Sequence, residues 1–227
     1  MPETPQATRK KQRAQLAAWL DAYYLDRDLR DETMPPSSAP QTPEPNHASP
    51  EAGQIRLLPP TKNTTAPNER PIYVLVVSAP ETQNFTVIPF SRFDSPATPH
   101  EWQTNWSERP LQVLCFWNAR TLTPTALKTT WLVQQRSEQQ RQEVVKAEQT
   151  KPVCSLSHDN TRFGPPLAHP LDPRHVYLQE EKSLLDDAME TITAALDTGK
   201  GITYEVQATN IHLLRAAESP PEPEQEE

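Results

Sequence analysis

An α+β architecture, a small antiparallel β-barrel with one helix before it and helices after it, is what the sequence predicts. Two observations carry this. Short β-branched and aromatic runs recur between residues 54 and 117, separated by polar and Pro-rich loops with no helical period, which indicates an antiparallel sheet or small barrel rather than βαβ units. Apolar residues at helical spacing precede these runs over 8–30 and follow them over 172–198. Composition bounds the rest. The 227 residues include 26 Pro and 4 Gly, against usual shares of about 5% and 7%, and the length allows one ordinary domain with tails or two small ones.

Taken in order, residues 1–32 form an amphipathic N-terminal helix in which Leu16, Trp19, Leu20 and Tyr23 share a face and Arg9, Lys10, Lys11 and Arg13 make a basic front. Residues 33–50 are Pro/Ser/Thr-rich with little to bury, so a disordered linker is expected there. Within 51–150, strands are predicted at 54–58, 71–78, 85–90 and 111–117; the run from Pro71 to Ser78 holds six consecutive apolar residues and suits a central strand. Thr123-Pro124 reads as an N-cap with Pro at the first helical position. Ser137 with Gln140 is a capping-box pattern for a helix over 138–149. A loop and acidic helical extension occupy 151–218: a helix opens at Asp172-Pro173 with the stripe Leu178, Leu185, Met189, Ile192 and Leu196, Gly199 ends it, and 202–206 is a candidate strand. Residues 219–227 are an acidic tail, expected to be disordered.

Several functions are excluded or disfavoured. The four glycines form no phosphate loop, and no apolar run reaches the ~18 residues of a membrane span. The N-terminus is polar without an apolar core, so no secretory signal and no membrane association are expected. Two cysteines make no disulfide framework, which points to the reduced cytoplasm. A net charge of −8 disfavours broad coating of nucleic acid.

Candidate chemistry is sparse. His169, Asp172, Arg174 and His175 gather within seven residues, but a histidine pair six apart across two prolines fits no zinc signature. Asp172 is expected to cap the helix, with Arg174 and His175 in its first turn; no metal and no cofactor are predicted. Cys115 lies in an apolar strand where burial blunts a thiol, and Cys154 near His158 is weak evidence for a nucleophile. Phe90, Phe93, Trp102, Trp106, Trp117 and Trp131 are interleaved with Arg92, Arg109 and Arg120. That mixture suits either a base-stacking or peptide-binding surface or a core that uses large rings to fill volume.

Gly53-Gln54-Ile55-Arg56, and then Arg70-Pro71 leading into the strand to Ser78, resemble the opening of the MazF/PemK toxin family. Val87 to Ser91, the Arg120-Thr121-Leu122 segment with Leu127, and Trp131 to Gln149 continue the likeness, which covers about 53–149. The resemblance implies an SH3-like barrel, often dimeric, whose toxin members cleave single-stranded RNA without a metal. Carried over, Arg70 and Ser91 match the family's catalytic arginine and hydroxyl, while Arg92, Phe93, Arg120 and Trp102 become candidate RNA-binding residues. The sequence also departs from the family. Its loop before Arg70 lacks glycine, Glu69 adjoins Arg70, and an N-terminal helix and a long acidic helix are added. These departures and the acidic balance favour a non-enzymatic interaction or regulatory protein, with a protein partner or a second copy of the chain; the alternative is a metal-independent endoribonuclease, self-inhibited when its acidic helix lies over the groove.

Overall fold

The computed structural model describes residues 5–31, 49–59, 71–78, 84–150, 162–167 and 169–198. Arg70, Cys154, His158, most of the 33–50 linker, the 202–206 candidate strand and the acidic tail lie outside the described residues. The chain is α+β. Helix α1 (Pro5–Asp31) is followed by strands β1 (Gln54–Leu57), β2 (Tyr73–Ser78), β3 (Phe85–Pro89), β4 (Glu101–Gln103) and β5 (Val113–Cys115). A 3-10 turn (Phe116–Asn118) leads to β6 (Arg120–Leu122), α2 (Pro124–Leu127), β7 (Trp131–Gln135), α3 (Glu138–Gln149) and α4 (Arg174–Thr198).

Five strands form one antiparallel sheet in the order β6-β3-β2-β1-β7, and β4 and β5 pair separately. The apolar run of β2 is explained by burial on both faces of the sheet. Tyr73, Leu75 and Val77 point with Ile55, Leu57 and Ile88 into a core completed by Trp102, Leu111, Leu114 and Trp131. Val74 and Val76 point the other way with Val87, against Leu127 of α2 and Leu185, Ala188 and Ile192 of α4. Alternating side chains of one strand thus serve two cores, which a strand buried on both faces requires.

Arg56 falls on the second face. It is fully buried, and burial lowers its guanidinium to about 10. It donates to Gln54 Oε1 and the Leu127 carbonyl, each at 2.8 Å, so the desolvated charge is held by hydrogen bonds. Gly53 enters β1 at φ +89°, a conformation that disfavours any Cβ. Gly164 is required for space: a Cβ there would sit 2.5 Å from Thr98 N.

Helix signals are realised as the sequence implies. Thr123 Oγ1 accepts from Ala126 N, and Ser137 and Gln140 form the reciprocal capping box. Of the expected α4 stripe, Leu185 and Ile192 are buried and Leu178 and Met189 are partly buried against the core clusters. Arg174, Tyr177, Leu185, Ala188, Thr191 and Ile192 are its buried residues, while Leu196 is 37% exposed. A third cluster joins the terminal helices: Trp19 and Tyr23 of α1 stack at 5.2 Å and pack with Phe93, Ala97 and Tyr177. No helix of the described residues is long and apolar enough to cross a membrane.

Candidate functional site

The site lies where the loop after β3 meets α4. Ser91 is anchored by its N–H, which donates to the Val113 carbonyl at 2.8 Å. Its Oγ accepts from Phe93 N at 3.1 Å and is hydrogen-bonded to the Tyr177 hydroxyl at 3.0 Å. At 1% exposure Ser91 has no access to solvent while α4 is docked.

Arg92 is a charge hub. Its guanidinium lies 3.5 Å from Asp26 of α1, and 3.1 Å from each of Glu180 and Glu181 of α4. Its carbon also stands 4.9 Å from the Phe93 ring centroid and 5.7 Å from that of Tyr177, within range of cation–π attraction. Arg120, projecting from β6, pairs with Asp186 at 2.8 Å. The structure thus gathers Ser91, Arg92 and Phe93, and sets them and Arg120 under or beside one acidic helix.

Phe93 and Trp102 are core rings. Phe93 is 6% exposed between α1 and α4. Trp102 is 3% exposed in the core on the opposite side of the sheet from the Val74 and Val76 side chains, with the Arg162 guanidinium 4.0 Å over its ring. Arg109 is exposed and bonded to Asp94 at 2.6 Å.

Behind Ser91 is a polar group that the sequence did not single out. Glu101 is fully buried opposite Cys115 in the β4–β5 pair. Its carboxylate accepts from Ala97 N at 2.5 Å and from Trp117 Nε1 at 3.0 Å. Burial outweighs these bonds and raises its carboxyl to about 7, helped by the nearby Glu181. Desolvation likewise drives Cys115 and Tyr177 well above their usual values, so the thiol is a poor nucleophile. The sequence reading leaves 101–103 in a loop between predicted strands, where a glutamate carries no sign of burial.

At the start of α4, Asp172 Oδ1 accepts from Arg174 N at 3.0 Å, capping the helix as the sequence suggests. Arg174 is almost fully buried and donates to the carbonyls of Ala97, Pro165 and Pro166 as well as to Asp172. The cluster at 169–175 is therefore a structural staple. Among the described residues no three His, Cys, Asp or Glu side chains are grouped to hold a metal ion.

A cleft of about 280 Å³ opens between this loop and α4, with Pro71, Tyr73, Ser91, Arg92, Asn118 and Glu181 among its walls. Compared with family models, with curated proteins and with solved structures, the chain matches none. The likeness to the toxin family accordingly rests on the motifs quoted above.

Proposed function

We propose that the chain is a non-enzymatic interaction or regulatory protein, built on a small SH3-like barrel of the toxin type whose cationic face is occupied by its own acidic helix. The observation that carries this reading is the pairing of α4 carboxylates with both candidate RNA-binding arginines: Glu180 and Glu181 with Arg92, and Asp186 with Arg120. An anionic strand approaching the docked form meets carboxylates where a phosphate site needs free cations. Ser91, bonded to Tyr177, is out of its reach as well. The barrel is supported by the Phe90–Leu114 bridge, which joins the end of β3 to β5 and so links the two sheets. The partner is a protein or a second copy of this chain.

One observation favours the second reading, a metal-independent endoribonuclease for single-stranded RNA that α4 holds inactive. Pro71, which follows Arg70 in the chain, lines the same cleft as Ser91 and Arg92. In that reading Arg70 stabilises charge on the phosphate under attack by the substrate's own 2′-hydroxyl. The readings separate in one assay: cleavage of mixed-sequence single-stranded RNA in EDTA by wild type and by the α4 variant Glu180→Gln/Glu181→Gln/Asp186→Asn. The interaction reading expects no cleavage from either. Cleavage by the neutralised variant that disappears when Arg70→Ala is added would establish the nuclease instead.

A further inference from the structure

We propose that Glu101 and Tyr177 form a proton-operated latch: Glu101 holds a proton while α4 is docked and releases it when α4 lifts, so rising pH opens the face that carries Ser91, Arg92 and Arg120. The inference rests on α4 being a cover over this face, and it adds what moves that cover.

The latch is a buried polar cluster at the junction of α4 with the β4–β5 pair. Glu101 and Tyr177 are fully buried, and Ser91 and Cys115 nearly so. The Tyr177 hydroxyl, brought in by α4, is hydrogen-bonded to Ser91 Oγ at 3.0 Å and to the Glu101 carboxyl. A protonated Glu101 can donate to Tyr177, which then donates to Ser91 Oγ; on ionisation the direction of the relay reverses. Hydrogen bonding is therefore met in either state, and what separates the two is the cost of holding a charge out of water. The other partners of Glu101, the Ala97 N–H and Trp117 Nε1–H, come from the loop before β4 and from the 3-10 turn. They remain with the sheet when α4 leaves, so α4 supplies the part of the enclosure that can move.

The groups that face Glu101 set the direction of the switch. Cys115 comes from β5, and Tyr177 and Glu181 come from α4. Burial holds the thiol and the phenol well above their ordinary values, so both stay neutral at neutral pH. Glu181 repels an ionised Glu101. Two cations belong to the same junction: Arg92 is engaged by Asp26 of α1 and by Glu180 and Glu181 of α4, and Arg174 donates to the Ala97 carbonyl at 2.7 Å. Burial first, and then Glu181, place the Glu101 carboxyl at about 7 against an ordinary 4.5. Lifting α4 takes away Tyr177 and Glu181 and returns the carboxyl to water. Below about pH 4.5 both forms are protonated and docking is strongest. Docking then weakens by up to about tenfold per pH unit until 7, and is level above that.

The test is amide exchange of the full chain, expressed as protection over the intrinsic rate at each pH. Amides of α4 are expected to be less protected than those of β2, and their protection should fall by about tenfold or more between pH 5 and pH 8. In the same samples the carboxyl carbon of Glu101 should titrate near 7 by NMR. Glu101→Gln, which cannot ionise, should leave α4 protection nearly level over that range. His169 and His175, exposed at the start of α4, are the other groups to control for, and the variant with both replaced by Gln should keep the response. The proposal is overturned if α4 protection in wild type is level from pH 5 to pH 8, or if α4 and β2 exchange together, so that α4 opens only with the whole chain. It is also overturned if the Glu101 carboxyl titrates below 5, if Glu101→Gln keeps the response, or if the histidine variant loses it. Should Glu101→Gln not fold, the wild-type titration and the histidine variant decide alone. RNA cleavage by the neutralised α4 variant would sink the interaction reading and leave the pH response of α4 standing, so the two failures are distinguishable.

Discussion

At the scale of single residues, the buried ionisable groups decide most. Glu101 has neutral hydrogen-bond partners: the Ala97 N–H, the Trp117 indole N–H and the Tyr177 hydroxyl. Its carboxyl stands near 7 in the folded chain, above its ordinary 4.5, so the native state holds the proton that the unfolded state releases. The contribution of Glu101 to stability is therefore greatest below about pH 4.5, falls as pH rises towards 7, and levels off above that. The difference amounts to at most about 3 kcal/mol. Urea denaturation at pH 5 and pH 8 should show the wild type less stable at the higher pH, and Glu101→Gln should remove most of that difference. An unchanged slope in the variant would show that another group is responsible. Arg174 presents the reverse case, a buried cation with every direction satisfied. Arg174→Met should cost about 3–5 kcal/mol, since it strands the carbonyls of Ala97, Pro165 and Pro166 and leaves Asp172 uncompensated. Arg174→Lys should recover little of it, because an ammonium lacks the planar fork. Chemical denaturation measures both.

At the scale of elements, what was legible followed from local rules. The caps at Thr123, Ser137 and Asp172 depend on a side chain and an amide two or three residues away, so spacing alone reveals them. The run at β2 was legible because it is buried on both faces. The face of α4 was less so. Counting large aliphatic residues gives Leu178, Leu185, Met189, Ile192 and Leu196; of these the helix fully buries Leu185 and Ile192, and it also buries Tyr177, Ala188 and Arg174. An arginine and an alanine carry no apolar signal strong enough to add them to the stripe, and only the contacts across to Trp19 and Ala97 fix the rotation. The site was divided in the same way. Ser91, Arg92 and Arg120 are local to the strands that were read, but their partners Tyr177, Glu180, Glu181 and Asp186 are more than sixty residues away in the chain. Substitutions report the rotation directly. Leu185→Ala, which opens a cavity over β2, should cost about 2–5 kcal/mol, while Leu196→Ala at an exposed position should stay within about 0.5 kcal/mol. Equal losses in thermal unfolding would place Leu196 in the core, as the sequence stripe expects.

For the whole molecule, the question is how two terminal helices are held to one sheet. The apolar contacts of each are modest: α1 contributes Trp19 and Tyr23 to a small cluster, and Tyr177 of α4 is the residue they meet. Arg92 closes the same junction electrostatically, with Asp26 from α1 and Glu180 and Glu181 from α4 around one guanidinium. Its side chain is 8% exposed, so salt screens these pairs far less than it screens Arg120–Asp186. Removing Arg92 does more than delete three attractions. It takes away the cation that Asp26, Glu180 and Glu181 share, so each of these carboxylates then repels the other two unscreened by Arg92. Arg92→Met should therefore loosen both helices at once, although they are remote in sequence. Amide exchange should accelerate in α1 and α4 together while β1 to β3 keep their protection. Glu180→Gln removes only one of the three partners and should affect α4 alone, and weakly. Asp186→Asn, at a half-exposed pair, should leave exchange nearly unchanged. If Arg92→Met instead sped exchange in α4 without α1, the two helices would be separately docked, and unmasking of the Arg92 face would require only α4 to move.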